Sequence, residues 1–127
     1  MEPIRLLLVD DDRTVRDPIR RLFEGLGWRV DEAEDLAAGR RAFERFRPDA
    51  VLLDFQLPDG TALDLLPVIR REDEEVPVLI LTGHGEIDVA VATIKAGADQ
   101  FLVKPVELAV LRDLLQRTLE ERRSARR

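Results

Sequence analysis

Residues able to perform phosphoryl or metal chemistry stand at four points in this sequence, each directly after a short apolar run. Asp10-Asp11-Asp12 follows residues 4–9, Asp54 follows 50–53, Thr82 follows 78–81, and Lys104 follows 101–103. Clustered carboxylates repel one another and are costly unless protonated or shared with a cation. An all-oxygen set of this kind suits Mg²⁺, which keeps several waters and is held by one or two carboxylates plus phosphate oxygens. Lys104 offers an ammonium and Thr82 a hydroxyl, both donors for an anion beside such a metal. If the four run ends meet, they describe phosphoryl chemistry with an aspartate as the candidate nucleophile.

Composition narrows the setting for that chemistry. The 127 residues carry 20 Lys+Arg and 26 Asp+Glu, a net charge of −6. That length predicts one domain with an ordinary core. The acidity argues against this chain gripping nucleic acid itself, which takes a basic face. The absence of Cys excludes disulfides, thiolate metal sites and a cysteine nucleophile. Apolar runs such as 77–81 fall far short of the roughly 20 residues a membrane helix needs, and the start lacks a signal peptide's basic and apolar regions. A cytoplasmic protein is expected.

The elements that must position these residues alternate strictly. Residues 4–9, 28–33, 50–53, 78–81 and 101–103 read as strands, the second being the most polar and suited to a sheet edge. Helical spacing follows each one. Val15, Ile19, Leu22, Phe23 and Leu26 mark the first stripe, and Leu36, Gly39, Phe43 and Phe46 the second. Residues 62–71 form a third helix that Pro67 interrupts. Ile87, Val91, Ile94 and Ala98 mark the fourth, and Leu108, Leu111, Leu115 and Leu119 the fifth. Asp12 or Thr14 is a candidate cap for the first helix, and Pro18 is tolerable only near its first turn. Pro58-Asp59-Gly60 reads as a turn. Strands alternating with helices predict an α/β fold, a five-stranded parallel sheet flanked by five helices. In such sheets ligands bind beyond the carboxyl ends of the strands, where all four chemical groups fall. Taken singly, each has a plainer reading: Asp12 as a helix cap, Asp54 as a turn residue, Lys104 as a solvated side chain, His84 as a loop residue. Their coincidence at the strand ends is what points to a site.

These residues stand in a recognisable order. Leu7-Leu8-Val9-Asp10-Asp11-Asp12, Leu52-Leu53-Asp54-Phe55-Gln56-Leu57-Pro58-Asp59-Gly60, Leu79-Ile80-Leu81-Thr82-Gly83 and the stretch from Lys95-Ala96-Gly97-Ala98 to Lys104-Pro105 together resemble the receiver domain of two-component response regulators. The likeness is strongest to receivers attached to sigma-54 activator or LuxR-type transcription regulators. It implies the flavodoxin-like strand order 2-1-3-4-5, with residues 1–121 as the receiver and 122–127 as a charged helix end or the start of a linker. Asp54 would accept a phosphoryl group from a sensor histidine kinase. Asp11, Asp54 and the backbone carbonyl of Gln56 would ligate Mg²⁺, with Asp10 acting mainly through a metal-bound water. Lys104 and Thr82 would contact phosphoryl oxygens. Thr82 and Phe101 would form the switch, Thr82 moving toward the phosphoryl group and Phe101 turning inward. Gln56 and His84 would flank the site and tune phosphate lifetime.

The resemblance further implies an output, transcription, controlled through the surface of the fourth helix, fifth strand and fifth helix, with DNA contacted only by an effector domain outside this chain. Val89, Ala90 and Ala92 suggest a homodimer through the fourth helix on phosphorylation. Pro18 and Pro67 depart from the family pattern and are expected to shorten or kink their helices. A second likeness, of Asp10-Asp11-Asp12-Arg13-Thr14 to the first motif of haloacid-dehalogenase phosphatases, would make Asp10 the nucleophile and Asp12 the acid/base, but leaves Asp54 unexplained. A third reading keeps the receiver fold as a scaffold that is not phosphorylated.

Overall fold

The structure, a computed structural model, describes residues 2–83 and 85–125. Its main sheet contains β1 (Arg5–Val9), β2 (Arg29–Ala33), β3 (Ala50–Asp54), β4 (Val78–Thr82) and β5 (Gln100–Val103). The helices are α1 (Arg13–Gly25), α2 (Leu36–Phe46), α3 (Ala62–Glu72), α4 (Ile87–Lys95) and α5 (Leu108–Ala125). The strands are all parallel and lie in the order β2-β1-β3-β4-β5, as the flavodoxin-like expectation required. The turn at Pro58-Asp59-Gly60 is the tip of a small antiparallel ribbon, Gln56–Leu57 against Gly60–Thr61.

Alternation along the strands builds two cores. Leu7, Val9, Val51, Leu53, Val78 and Ile80 face α2 and α3, where Phe43, Leu65, Leu66 and Ile69 close the layer. Leu6, Leu8, Leu52, Leu79 and Leu81 face α1 and α5, meeting Ile19, Phe23, Leu111, Leu115 and Leu119. Strands covered on both sides must be apolar throughout, which is why β1, β3 and β4 read as unbroken runs. The edge strand β2 starts one residue later than expected. Trp28 belongs to the core instead, its ring centroid 4.7 Å from that of Phe23.

Neither proline shortens its helix. α1 runs through Pro18 to Gly25 and α3 through Pro67 to Glu72. Both prolines are exposed, so the carbonyls they leave without a helical donor stand on the solvent side. A larger correction concerns α4. The large apolar residues at helical spacing face outward, with Ile87 79 %, Val91 45 % and Ile94 46 % exposed. Thr93 is the buried residue of this helix, its hydroxyl donating to the Ala90 carbonyl at 3.0 Å. Val89, Ala90 and Ala92, which suggested a homodimer face, are half-exposed.

Candidate functional site

Parallel strands with common direction bring their carboxyl ends to one edge. β1 and β3 are direct neighbours, so Asp10 and Asp54 extend adjacent strands. Asp54 pairs in register with Leu81 and Thr82 with Val103, which places Thr82 and Lys104 on the next two strands over. The Lys104 N–H donates to the Thr82 carbonyl at 2.7 Å, and the Lys104–Pro105 peptide is cis.

The side chains of Asp10, Asp11, Asp54 and Lys104 come together at this edge. Carboxylate oxygens of Asp10, Asp11 and Asp54 lie within 4.8 Å of one another. Asp10 is 1 % exposed, Asp54 is buried, and Asp11 forms the open side. Lys104 Nζ donates to Asp10 Oδ2 at 2.8 Å and lies 3.2 Å from Asp54 Oδ2. Burial, and then the charge of Asp10, raise the Asp54 pKa above the usual carboxylate value; Lys104 and the Gln56 backbone N–H pull it only part of the way back. Burial works against the Lys104 charge, but the hydrogen bonds and charges of Asp10 and Asp54 outweigh it and its pKa is raised.

Three carboxylates thus face one ammonium, leaving negative charge that a divalent cation matches. The donors are all hard oxygens and one flank is open, so the residues fit Mg²⁺. Gln56 is exposed on the ribbon, directly beyond the Asp54 strand end. Phe101 is half-buried and packs against the core on the α2 and α3 side. Asp12 is a helix cap: its carboxylate accepts from the Thr14 N–H at 2.9 Å and the Thr14 hydroxyl at 2.6 Å. That leaves it poorly placed as an acid/base. His84 lies outside the described residues.

Sequence reasoning missed two groups that support the site. Arg16, 9 % exposed, reaches back from α1 to the Asp10 carbonyl. Asp59, read as a turn residue, accepts from the Leu36 and Ala37 N–H groups at 2.8 and 3.0 Å and so ties the ribbon after Asp54 to the start of α2. Those hydrogen bonds, the one from Leu36 foremost, hold its carboxyl below the ordinary value. Asp59→Ala is expected to lower Tm by a few degrees and Asp59→Asn by less, since Asn keeps an acceptor. Because the carboxyl is lowered, its contribution is present above the unfolded value and fades as pH falls, so thermal melts at pH 7 and pH 3 should differ most for the parent. A cavity of about 600 Å³ between Phe43, Arg47, Pro77, Leu119 and Arg122 sits at the opposite edge of the sheet and includes none of the clustered residues.

The fold agrees with known proteins. The chain belongs to the response regulator receiver domain family, whose pattern matches residues 6–116. It is 40 % identical to the response regulator MprA of Mycolicibacterium vanbaalenii, over 91 % of this chain and 52 % of that protein. The chain therefore spans about half the length of the curated relatives it matches. Among solved structures, the CheY-like receiver domain protein of Methanospirillum hungatei superposes with a TM-score of 0.93 at 27 % identity, covering 98 % and 99 % of the two chains. A two-component response regulator of the LuxR family from Aurantimonas gives 0.85 at 31 % identity, covering 94 % and 87 %. Among the described residues, no helix is long and apolar enough to cross a membrane.

Proposed function

We propose that this chain is a phosphorylation-activated receiver in which Asp54 accepts a phosphoryl group from a sensor histidine kinase in a Mg²⁺-dependent reaction. The observation that carries this reading is the convergence of Asp10, Asp11 and Asp54 on Lys104 at one strand edge. An Asp54 carboxylate oxygen attacks phosphorus as the phosphorus–nitrogen bond to the donor histidine breaks, giving an aspartyl phosphate and a neutral imidazole on the donor; attack of water on phosphorus later breaks the bond to the Asp54 oxygen, returning the carboxylate and releasing inorganic phosphate. Asp11, Asp54 and the Gln56 carbonyl would hold Mg²⁺ directly, and Asp10 would act mainly through an intervening water. Bound Mg²⁺ supplies charge neutralisation for carboxylates and phosphoryl oxygens. Lys104 and the Thr82 hydroxyl each hold a phosphoryl oxygen, so catalysis is positioning plus charge.

Acceptance draws Thr82 toward the phosphoryl group and Phe101 inward, which alters the surface of α4, β5 and α5. The output is transcription, through an effector that contacts DNA; the kinase and the receiver meet in the cytoplasm. Residues 1–121 form the receiver and 122–127 a charged helix end or the start of a linker, of which 126 and 127 lie outside the described residues. Ile87, Val91 and Ile94 form the face through which the activated chain dimerises, since exposed aliphatic residues on one helix face favour burial. Sedimentation should show a dimer with beryllofluoride and Mg²⁺ and a monomer with Mg²⁺ alone; a monomer in both removes the dimer from this reading.

The central test is incubation with acetyl phosphate and Mg²⁺, borohydride trapping and peptide mapping. Label at Asp54, lost in EDTA, is the expected result. Label at Asp10 overturns the assignment in favour of a phosphatase. Absence of both label and beryllofluoride binding leaves the scaffold reading in its place.

A further inference from the structure

Asp10 is held at every polar point. Its N–H donates to the Ala33 carbonyl at 3.0 Å, and its carboxylate takes the Asp12 N–H at 2.9 Å and Lys104 Nζ at 2.8 Å. The remaining group, its carbonyl, is taken by Arg16 Nη1 at 2.5 Å. Arg16 is itself anchored from behind. Its Nε donates to Glu32 Oε1 at 3.1 Å, and Arg20 Nε lies 3.4 Å from Glu32 Oε2. A guanidinium fork thus spans from the edge strand β2, through the first turns of α1, to the peptide joining Asp10 and Asp11.

That peptide is the hinge of the site. The Asp10 carbonyl and the Asp11 N–H belong to one planar unit, so fixing the carbonyl fixes the N–Cα bond from which the Asp11 side chain departs and narrows the directions that side chain can take. Asp11 is exposed, and nothing else ties its carboxylate in the described structure, whereas Asp10 and Asp54 are both held by Lys104. A buried arginine on an apolar helix face is expensive unless each nitrogen that leaves water finds a partner. Here the partners are a carbonyl of the acid cluster and a carboxylate on the neighbouring strand.

We infer that Arg16 is a positioning residue for the metal site, acting through the Asp10–Asp11 peptide, with Glu32 holding Arg16 in place. This rests on the proposed Mg²⁺ site, and groups that orient metal ligands typically change affinity by about 10–100-fold when removed. Positioning and simple charge predict opposite signs. Deleting a cation beside an acidic cluster strengthens Mg²⁺ binding by relieving competition for the carboxylates; losing the aim of Asp11 weakens it.

The test is Mg²⁺ titration of the full 127-residue chain, followed by backbone amide shifts of Asp11 and Asp54, beside thermal melts in EDTA. Arg16→Lys keeps the charge but reaches only one of the two partners, and is expected to bind Mg²⁺ about tenfold more weakly. Glu32→Gln frees the arginine from its anchor and is expected to weaken binding in the same direction by less. Arg16→Met removes fork and charge together and is expected to weaken binding too. Arg70→Lys is the control, because Arg70 makes a comparable fork to the Gly97 and Val76 carbonyls and Asp99 at the far edge of the sheet. It should lower Tm and leave Mg²⁺ affinity alone. Unchanged affinity in Arg16→Lys and Glu32→Gln overturns the inference and leaves Arg16 a structural residue. Tighter binding in Arg16→Met with unchanged binding in Arg16→Lys also overturns it, in favour of charge alone. If the parent chain binds no Mg²⁺, the site reading itself fails, which separates the two claims.

Discussion

Asp54→Asn is expected to take no phosphoryl label from acetyl phosphate under conditions that label the parent fully, and in EDTA to be the more stable of the two proteins. The first half follows from chemistry: an amide oxygen is a far poorer nucleophile toward phosphorus than the carboxylate it replaces, and Asp54 is the proposed acceptor. The second half follows from electrostatics. Asp54 is buried beside the buried Asp10, and both effects raise its pKa despite Lys104. An acid whose folded value lies above its unfolded one binds protons more tightly when folded. Its ionisation therefore costs stability, progressively, as pH rises from about the unfolded value through the raised one. At neutral pH the metal-free parent bears that cost and the Asn variant does not. Competing Coulomb terms of a few kcal/mol each at an effective dielectric near 20 leave a net gain on the order of 1–2 kcal/mol. Urea unfolding in EDTA at pH 7 and pH 4 measures it: the gap should be wide at pH 7 and narrow at pH 4. Saturating Mg²⁺ should narrow it as well, since the metal favours the carboxylate. A variant less stable than the parent in EDTA at pH 7 would refute this account of the site.

Lys104→Met should do the most damage to chemistry and fold together. Lys104 Nζ is the shared partner of Asp10 and Asp54, whose side chains are 1 % and 7 % exposed. Removing it leaves two buried carboxylates facing each other, a loss of about 3–5 kcal/mol when one partner of a buried pair is deleted. The loss is largest in EDTA at neutral pH and shrinks on acidification, as the raised Asp54 takes up its proton. On the alkaline side, a lysine with a raised pKa keeps its stabilising charge below the unfolded value and loses it as pH rises through the folded one. The difference between parent and variant should therefore stay level from pH 7 to pH 9. Phosphoryl acceptance falls roughly 10²–10³-fold, the usual effect of deleting one aimed donor to a developing anion. Combining the two substitutions is the sharper measurement. With Asp54→Asn in place, one of the stranded carboxylates is gone, so the added Lys104→Met should cost less stability than it does alone.

Some of this molecule is written in local sequence. A strand covered on both faces must be apolar at every position, and a helix must repeat near 3.6, so alternation of the two periods dictated a parallel α/β sheet. Once that sheet exists, residues that follow its strands must share one edge. Asp10, Asp11, Asp54, Thr82 and Lys104 were legible as a set for that reason, and Asp12 as a cap because capping is a contact two residues long.

What local sequence did not determine depends on which distant element arrives where. The aliphatic stripe Ile87, Val91 and Ile94 has the spacing of a buried face, yet the tertiary structure turns it outward, because α4 lies against its neighbours through Thr93 and small residues. Asp59 is a turn residue by its neighbours and a helix cap only because α2 begins beside it, across 23 positions of chain. Arg16 looks like one more polar residue on an amphipathic helix. Only the β1–β2 pairing, which brings Glu32 beside the Asp10 strand end, makes burying its guanidinium affordable. Periodicity reports the surroundings averaged over a face, while a hydrogen bond between remote segments depends on a single partner at a single distance, and that partner is supplied by the assembled fold.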